Sequence, residues 1–373
     1  MAPEESPSQS QRLRQREVYV DAFRGLMALV MVQGHVCDAL LTPAIRALHW
    51  YQFQVMFHGS TAPGFLFASG FVAGLPRPPL SVKASLRRGR RLLFVLGTGY
   101  ALHLPYASLW KCLEAPPEEK LALFACNALQ AIAVSQLVVL VLQFFLGEYW
   151  PPSALVLFVG ILVAGPFVWA SHVALALPPA LGTYLDTSLG SPFPLFPFSI
   201  FVLTGTLAGL ALGRRPAGER RKRTLALGGG LLLAGIVIAP FLADRVDFWG
   251  VSPAYVLIRL GGLLLLLQLV EVAARADFPG IPALAVIGHE TLLVYLFHLY
   301  LLYGGIVGPA PLGDWAGRLG VVGASLVLLA MIPLLYVLAW GWNLVKARAP
   351  REAHLLIVFT TAALLFEFVR RPW

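Results

Sequence analysis

Apolar runs close to twenty residues long recur from one end of this 373-residue chain to the other. A run of that length crosses the hydrocarbon core of a bilayer as a helix, because each residue rises ~1.5 Å and the core is ~30 Å thick. Helices are required, since open sheet edges cannot sit in lipid. The alternating pattern of a membrane barrel is absent. Charged residues make up 13% of the chain, about half the ~25% of an ordinary soluble domain, which leaves no room for a soluble domain of any size. The expected fold class is all-α: a polytopic integral membrane bundle of about eleven transmembrane helices, ten if the last segment does not cross. The spans read at 18–41, 53–75, 90–109, 121–146, 153–177, 194–213, 224–243, 253–273, 283–305, 317–342 and 351–370. Residues 1–17 are polar and read as a disordered tail, and 18–373 as one transmembrane domain.

The net charge of +9 does not indicate a nucleic-acid partner, because the basic residues sit in short clusters between apolar runs. That is a topology signal. With the N-terminus in the cytoplasm, nineteen Lys and Arg fall in inside segments and seven in outside segments, leaving Arg24 and Arg259 within spans. The expectation is N-in and C-out, with the pair Arg370–Arg371 running against it. Cys37, Cys112 and Cys126 have no metal-ligand spacing, so no metal is expected. The tail lacks an apolar signal region, so the first span reads as an uncleaved anchor in a membrane of the bacterial inner-membrane type.

Ionisable residues at membrane depth are costly and mark function. The first span carries Asp21, Arg24 and Gly25, then His35, Cys37 and Asp38. Asp21 and Arg24 are one turn apart and can pair. His35 lies about 16 Å beyond Arg24 on the same helix face, past the midplane. His58, at the outer end of the second span, reaches the same level from the other direction, and Pro63 behind it is expected to kink that helix. The ninth span carries His289 and Glu290 near one end, and Tyr295 and His298 in its outer half. Three histidines from three spans (35, 58, 298) can therefore meet, with His103 a weaker fourth. Pro192, Pro194 and Pro197 before the sixth span read either as an extended, broken lead-in packed in protein or as a simple loop.

These residues carry a resemblance. Arg24 followed by ten residues and His35 resembles the R-x10-H motif of acyltransferase family 3 membrane proteins. Asp21-x-x-Arg24-Gly25, His58-x-x-x-Ala62-Pro63, Asn127 to Gln130, Pro194-x-x-Pro197 and Gly288-x-x-x-Leu292-x-x-Tyr295-x-x-His298 resemble the related heparan-alpha-glucosaminide N-acetyltransferase catalytic-domain family. Phe198 stands where many of those relatives have Trp, and His35 where some carry an amide. The resemblance implies an enzyme that moves an acetyl or other acyl group from cytoplasmic acyl-CoA to a glycan or small-molecule acceptor on the far side, with the bilayer and a second copy of the chain as further partners. His35, His58, His298 and Asp38 are then the candidate catalytic residues. Arg24, Asp21, Arg90, Arg91 and Tyr295 are the candidates for holding acetyl-CoA, whose polyanionic end suits a cationic mouth. Arg87 and Arg88 read as topology signals. A neutral imidazole either deprotonates the acceptor or takes the acyl group covalently. The competing readings are a proton-coupled transporter or flippase using the histidines as a relay, and a receptor with an inactivated site.

Overall fold

A computed structural model describes residues 9–76, 80–213, 215–305 and 307–371. Arg77 and Arg214, and the side chains of Arg12, Arg14 and Arg16, all counted in the charge argument, lie outside the described residues. So do residues 1–8 of the expected tail. Among the described residues the regular elements are helices: α1 (Gln9–Leu40), α2 (His49–His58), α3 (Thr61–Gly74), α4 (Val82–Ala101), α5 (Ala128–Phe145), α6 (Trp150–Ser171) and α7 (Leu195–Leu212). They continue with α8 (Ala217–Leu242), α9 (Pro253–Arg275), α10 (Ile281–His289), α11 (Thr291–Tyr303), α12 (Val321–Arg348) and α13 (Pro350–Arg370), besides shorter helices. The all-α polytopic architecture is as expected: among the described residues eight helices are long and apolar enough to cross a membrane, and nine if α10 and α11, bent by 81° at Glu290, form one span.

Three expectations need correction. Residues 9–17 continue α1 rather than forming a tail, because Gln, Arg, Leu and Glu are strong helix formers and no breaker intervenes. The span at 53–75 is two helices, α2 and α3, separated at Gly59–Ser60. Pro63 does not kink that span; it sits in the first turn of α3, where its missing N–H has no intrahelical partner to lose. The span at 90–109 is displaced to α4, whose first half carries Lys83, Arg87, Arg88, Arg90 and Arg91 and which ends at Ala101.

The chain divides into two compact units, residues 1–61 with 266–360, and 62–265 with 361–373. In the first, α1 packs on α10 through two glycines: a methyl group at Gly25 would overlap the Leu284 carbonyl, and one at Gly288 the Asp21 carbonyl. Such close approach is how small residues substitute for the hydrophobic effect between helices in lipid. The end of α1 is tied to the lead-in of α12 by Leu319 N–H to Leu40 O (2.8 Å), Gly317 N–H to Ala39 O (2.9 Å) and Thr42 N–H to Leu319 O (3.1 Å). At the other end of α12, Lys346 pairs with the buried Glu290 carboxylate, so α1 and α12 run antiparallel.

In the second unit, α3 and α7 interdigitate through Gly70, Gly74, Gly205 and Gly209, each against the partner helix backbone. The proline-rich lead-in to α7 is extended and packed: Phe193 N–H donates to Cys126 O (3.0 Å) and Leu195 N–H to Tyr184 O (2.8 Å). The Trp169 indole N–H donates to Phe196 O (2.8 Å). The end of α13 docks on the segment after α4, with the Ser108 hydroxyl donating to Arg371 O (3.0 Å) and the Trp110 indole to Val369 O (3.1 Å). The close of the chain and the segment around residue 110 therefore share one face.

Candidate active site

The site is built in the first unit, on the last turns of α1. His35 Nδ1 lies 2.8 Å from His298 Nε2, and the two rings stack with centroids 5.1 Å apart and planes 9° from parallel. His298 is fully buried, and its Nδ1 lies 2.8 Å from Val294 O, one turn back on α11. With both rings neutral, that last contact assigns the protons. A carbonyl only accepts, so His298 Nδ1 carries the hydrogen and its Nε2 holds a lone pair. His35 must then donate from Nδ1, which leaves the lone pair of His35 on Nε2. The arrangement orients one neutral imidazole as a base by a second, which is the orienting logic of a catalytic dyad.

Other rings border His35. His58 meets it edge-on at 6.0 Å between centroids, and Tyr303 at 6.3 Å. The His58 ring lies directly on Gly34, where any side chain would occupy its place. α2 supplies His58 as follows. Its residues Tyr51, Gln54 and His58 fall on one stripe at 3.6 residues per turn and face inward, while Phe53, Val55, Met56 and Phe57 are exposed on the opposite side. Tyr51, 5% exposed, donates its hydroxyl to Asp38 Oδ1 (3.3 Å). α2 is thus an inside-out amphipathic helix, with its polar stripe on protein and its apolar stripe outward.

The other end of the site surrounds Arg24. Its guanidinium donates to Asp21 Oδ1 (3.1 Å) and to Thr291 Oγ1 (2.7 Å). The His289 ring lies 3.7 Å from the second Asp21 oxygen. Arg24 is therefore held at the break between α10 and α11, at the first residue of α11, where helical N–H groups lack intrahelical acceptors.

The residues chosen from sequence divide accordingly. His35, His58, His298 and Tyr295, whose ring lies 5.7 Å edge-on to His298, come together at one end of the site. Arg24 and Asp21 come together at the other. Asp38 does not join the imidazoles; it is turned toward Arg46 (3.5 Å) and Tyr51. Arg90 and Arg91 are exposed on α4 in the second unit. His103 is also there, its Nδ1 2.8 Å from Gly99 O and its Nε2 2.7 Å from the Asn127 amide. Sequence reasoning missed Gln54, Tyr303, Thr291 and Lys346. Lys346 is one of the nineteen cations of the inside segments, and Gln54 falls within the span at 53–75. The signal available for Gln54 was its spacing of three from Tyr51 and four from His58.

The fold is that of a polytopic helical membrane protein, and it gathers ionisable side chains from several helices along α1. The family model of the acyltransferase domain of acyltransferase family 3 matches residues 17–340, and the chain belongs to that family. The match spans both ends of the site, from Asp21 and Arg24 to His298 and Tyr303, and stops before Lys346. No curated protein matches the chain significantly.

Proposed function

We propose that this membrane acyltransferase moves an acetyl or related acyl group from an acyl-CoA thioester to a hydroxyl of an extracytoplasmic acceptor, a glycan or similar molecule, with His35 as general base. The observation that carries the reading is the hydrogen-bond chain from His35 through His298 to the Val294 carbonyl, which presents the His35 Nε2 lone pair. In the reaction, the acceptor O–H gives its proton to His35 Nε2 as its oxygen attacks the thioester carbonyl carbon. The C–S bond breaks, the acyl group leaves on the acceptor oxygen, and the thiolate recovers the proton from His35. His298 Nε2 holds the Nδ1–H of the imidazolium in between. His58 and Tyr303 flank the ring.

Arg24 is proposed to meet the anionic part of the donor. It is about 16 Å from His35 along α1, so the thioester enters on an extended arm. Tyr295, Arg90 and Arg91 stay as proposed donor contacts from the sequence. On the proposed N-in topology, which the charge bias supports, the Arg24 end faces the cytoplasm, where acyl-CoA is made, and His35 lies toward the far side. The narrower resemblance to the heparan-alpha-glucosaminide N-acetyltransferase family belongs to this proposal and rests on the order of the quoted motifs. The test is consumption of acetyl-CoA by purified protein in lipid discs. Slow thioester hydrolysis, lost in His35→Ala, is expected. Intact acetyl-CoA would remove the reading and leave a transporter or flippase in its place.

A further inference from the structure

We infer that Gln54 is an acceptor-binding residue, and that its amide selects a neutral hydroxylated acceptor by pairing with a hydroxyl beside the one that is acylated. This rests on the acyl-transfer reading and adds the acceptor's recognition to it. On the inward stripe of α2, Gln54 stands between two contacts with α1: Tyr51 to Asp38 on one side and His58 over Gly34, beside His35, on the other. Its position is thus at the imidazole end of the site. Both amide atoms, Nε2 and Oε1, are buried, and neither has a hydrogen-bond partner among the described residues.

A buried amide with nothing to bond is destabilising, and native structures keep few such groups. On the same stripe Tyr51 is bonded to Asp38 and the His58 ring packs on Gly34 beside His35, and the Gln54 amide is a group that a substrate can satisfy. The chemistry of the amide defines that substrate. It offers a donor and an acceptor side by side, and a hydroxyl both donates and accepts. A carboxylate has no proton for Oε1, and an ammonium has no lone pair for Nε2. An apolar acceptor would leave both unpaired. A site built to bond a hydroxyl rejects analogues that lack it far more strongly than an apolar pocket rejects a missing methylene. Two adjacent hydroxyls, one toward His35 and one toward Gln54, are the pattern of a sugar.

The experiment uses full-length protein in lipid discs, acetyl-CoA, and methyl β-D-glucopyranoside as the hydroxylated acceptor. The quantity read is the ratio of acetylated glucoside to free acetate, together with the melting temperature. In Gln54→Met, which keeps length and loses the amide, the ratio is expected to fall about tenfold while the protein melts no lower than wild type. Gln52→Ala, an exposed neighbour whose amide bonds Arg46 O, keeps the wild-type ratio. An unchanged ratio in Gln54→Met overturns the inference. So does a melting temperature several degrees lower, which marks the amide as structural, and so does a wild type that consumes acetyl-CoA without acetylating the glucoside. Wild-type protein that leaves acetyl-CoA intact fails at the earlier step and removes the acyl-transfer reading itself.

Discussion

The two imidazoles differ in what they can tolerate. His35→Ala removes the base and is expected to lower acyl transfer roughly 10²–10⁴-fold with little change in melting temperature, read from acetyl-CoA consumption beside a thermal melt. His298 acts through its Nε2 acceptor. His298→Gln retains an acceptor oxygen for the His35 Nδ1–H and should keep much of the activity, whereas His298→Leu should lose most of it. Equal rates in the two variants would show that the hydrogen bond does not orient His35. His58, whose ring meets His35 edge-on, ranks third. The sequence indicated that three histidines from three segments meet at one depth, and left open whether His58 or His298 orients His35. The choice depended on a 2.8 Å contact between residues 263 positions apart, which no spacing rule supplies. Asp38 sits one turn from His35, and its bonds to Arg46 and Tyr51 are likewise contacts that spacing along α1 does not supply.

At the level of helices, the site depends on how closely α1 and α10 approach and on where α10 stops. Gly25→Leu or Gly288→Leu pushes the helices apart. A loss of about 1–3 kcal/mol or more is expected from overpacking, with the Arg24 to Thr291 bond broken, measured as a lower melting temperature and a raised KM for acetyl-CoA. Glu290 is 5% exposed and Lys346 35%, so the pair is half-shielded. Lys346→Met should cost about 1–3 kcal/mol by stranding a buried carboxylate. The double variant Glu290→Gln with Lys346→Met should recover most of it, and additive losses would deny the coupling. The sequence showed the ninth span and its polar residues but not its 81° bend. No proline stands at the break; there the buried Glu290 carboxylate pairs with Lys346 of α12, a contact that the sequence of the ninth span does not contain. The second span failed differently, since Gly59, Ser60 and Pro63 were visible and were read as a kink rather than as the end of one helix and the start of the next.

For the whole chain, topology is the quantity to measure. Single cysteines at Ser81 and Ala217 on a cysteine-free background are expected to label from the cytoplasm, and those at Glu118 and Arg371 from the opposite face. Asp186, buried beside its own turn, is a poor reporter. The pairing of Ser108 and Trp110 with the end of α13 requires Glu118 and Arg371 to agree whichever face they report. Labels from opposite faces would contradict the docking. The general architecture was legible because hydropathy and charge bias are properties of single segments. The eleven expected spans and the observed helices part company where a segment is broken or carries five basic residues in its first half, as α4 does.

The inverted polarity of α2 has a practical consequence for anyone extracting the protein. A ten-residue helix with one buried side chain, Tyr51, and an exposed apolar stripe is expected to depend on hydrocarbon around that stripe to stay on α1, rather than on a core of its own. A short-chain detergent that wets Phe53 and Phe57 equally well whether α2 is docked or free removes that support. His58 and Gln54 then leave with it. Preparations in such detergents should retain full helical circular dichroism while transfer to the acceptor disappears, and reconstitution into lipid should restore it. Activity that survives unchanged in every detergent would mean that α2 is held by more than its bilayer.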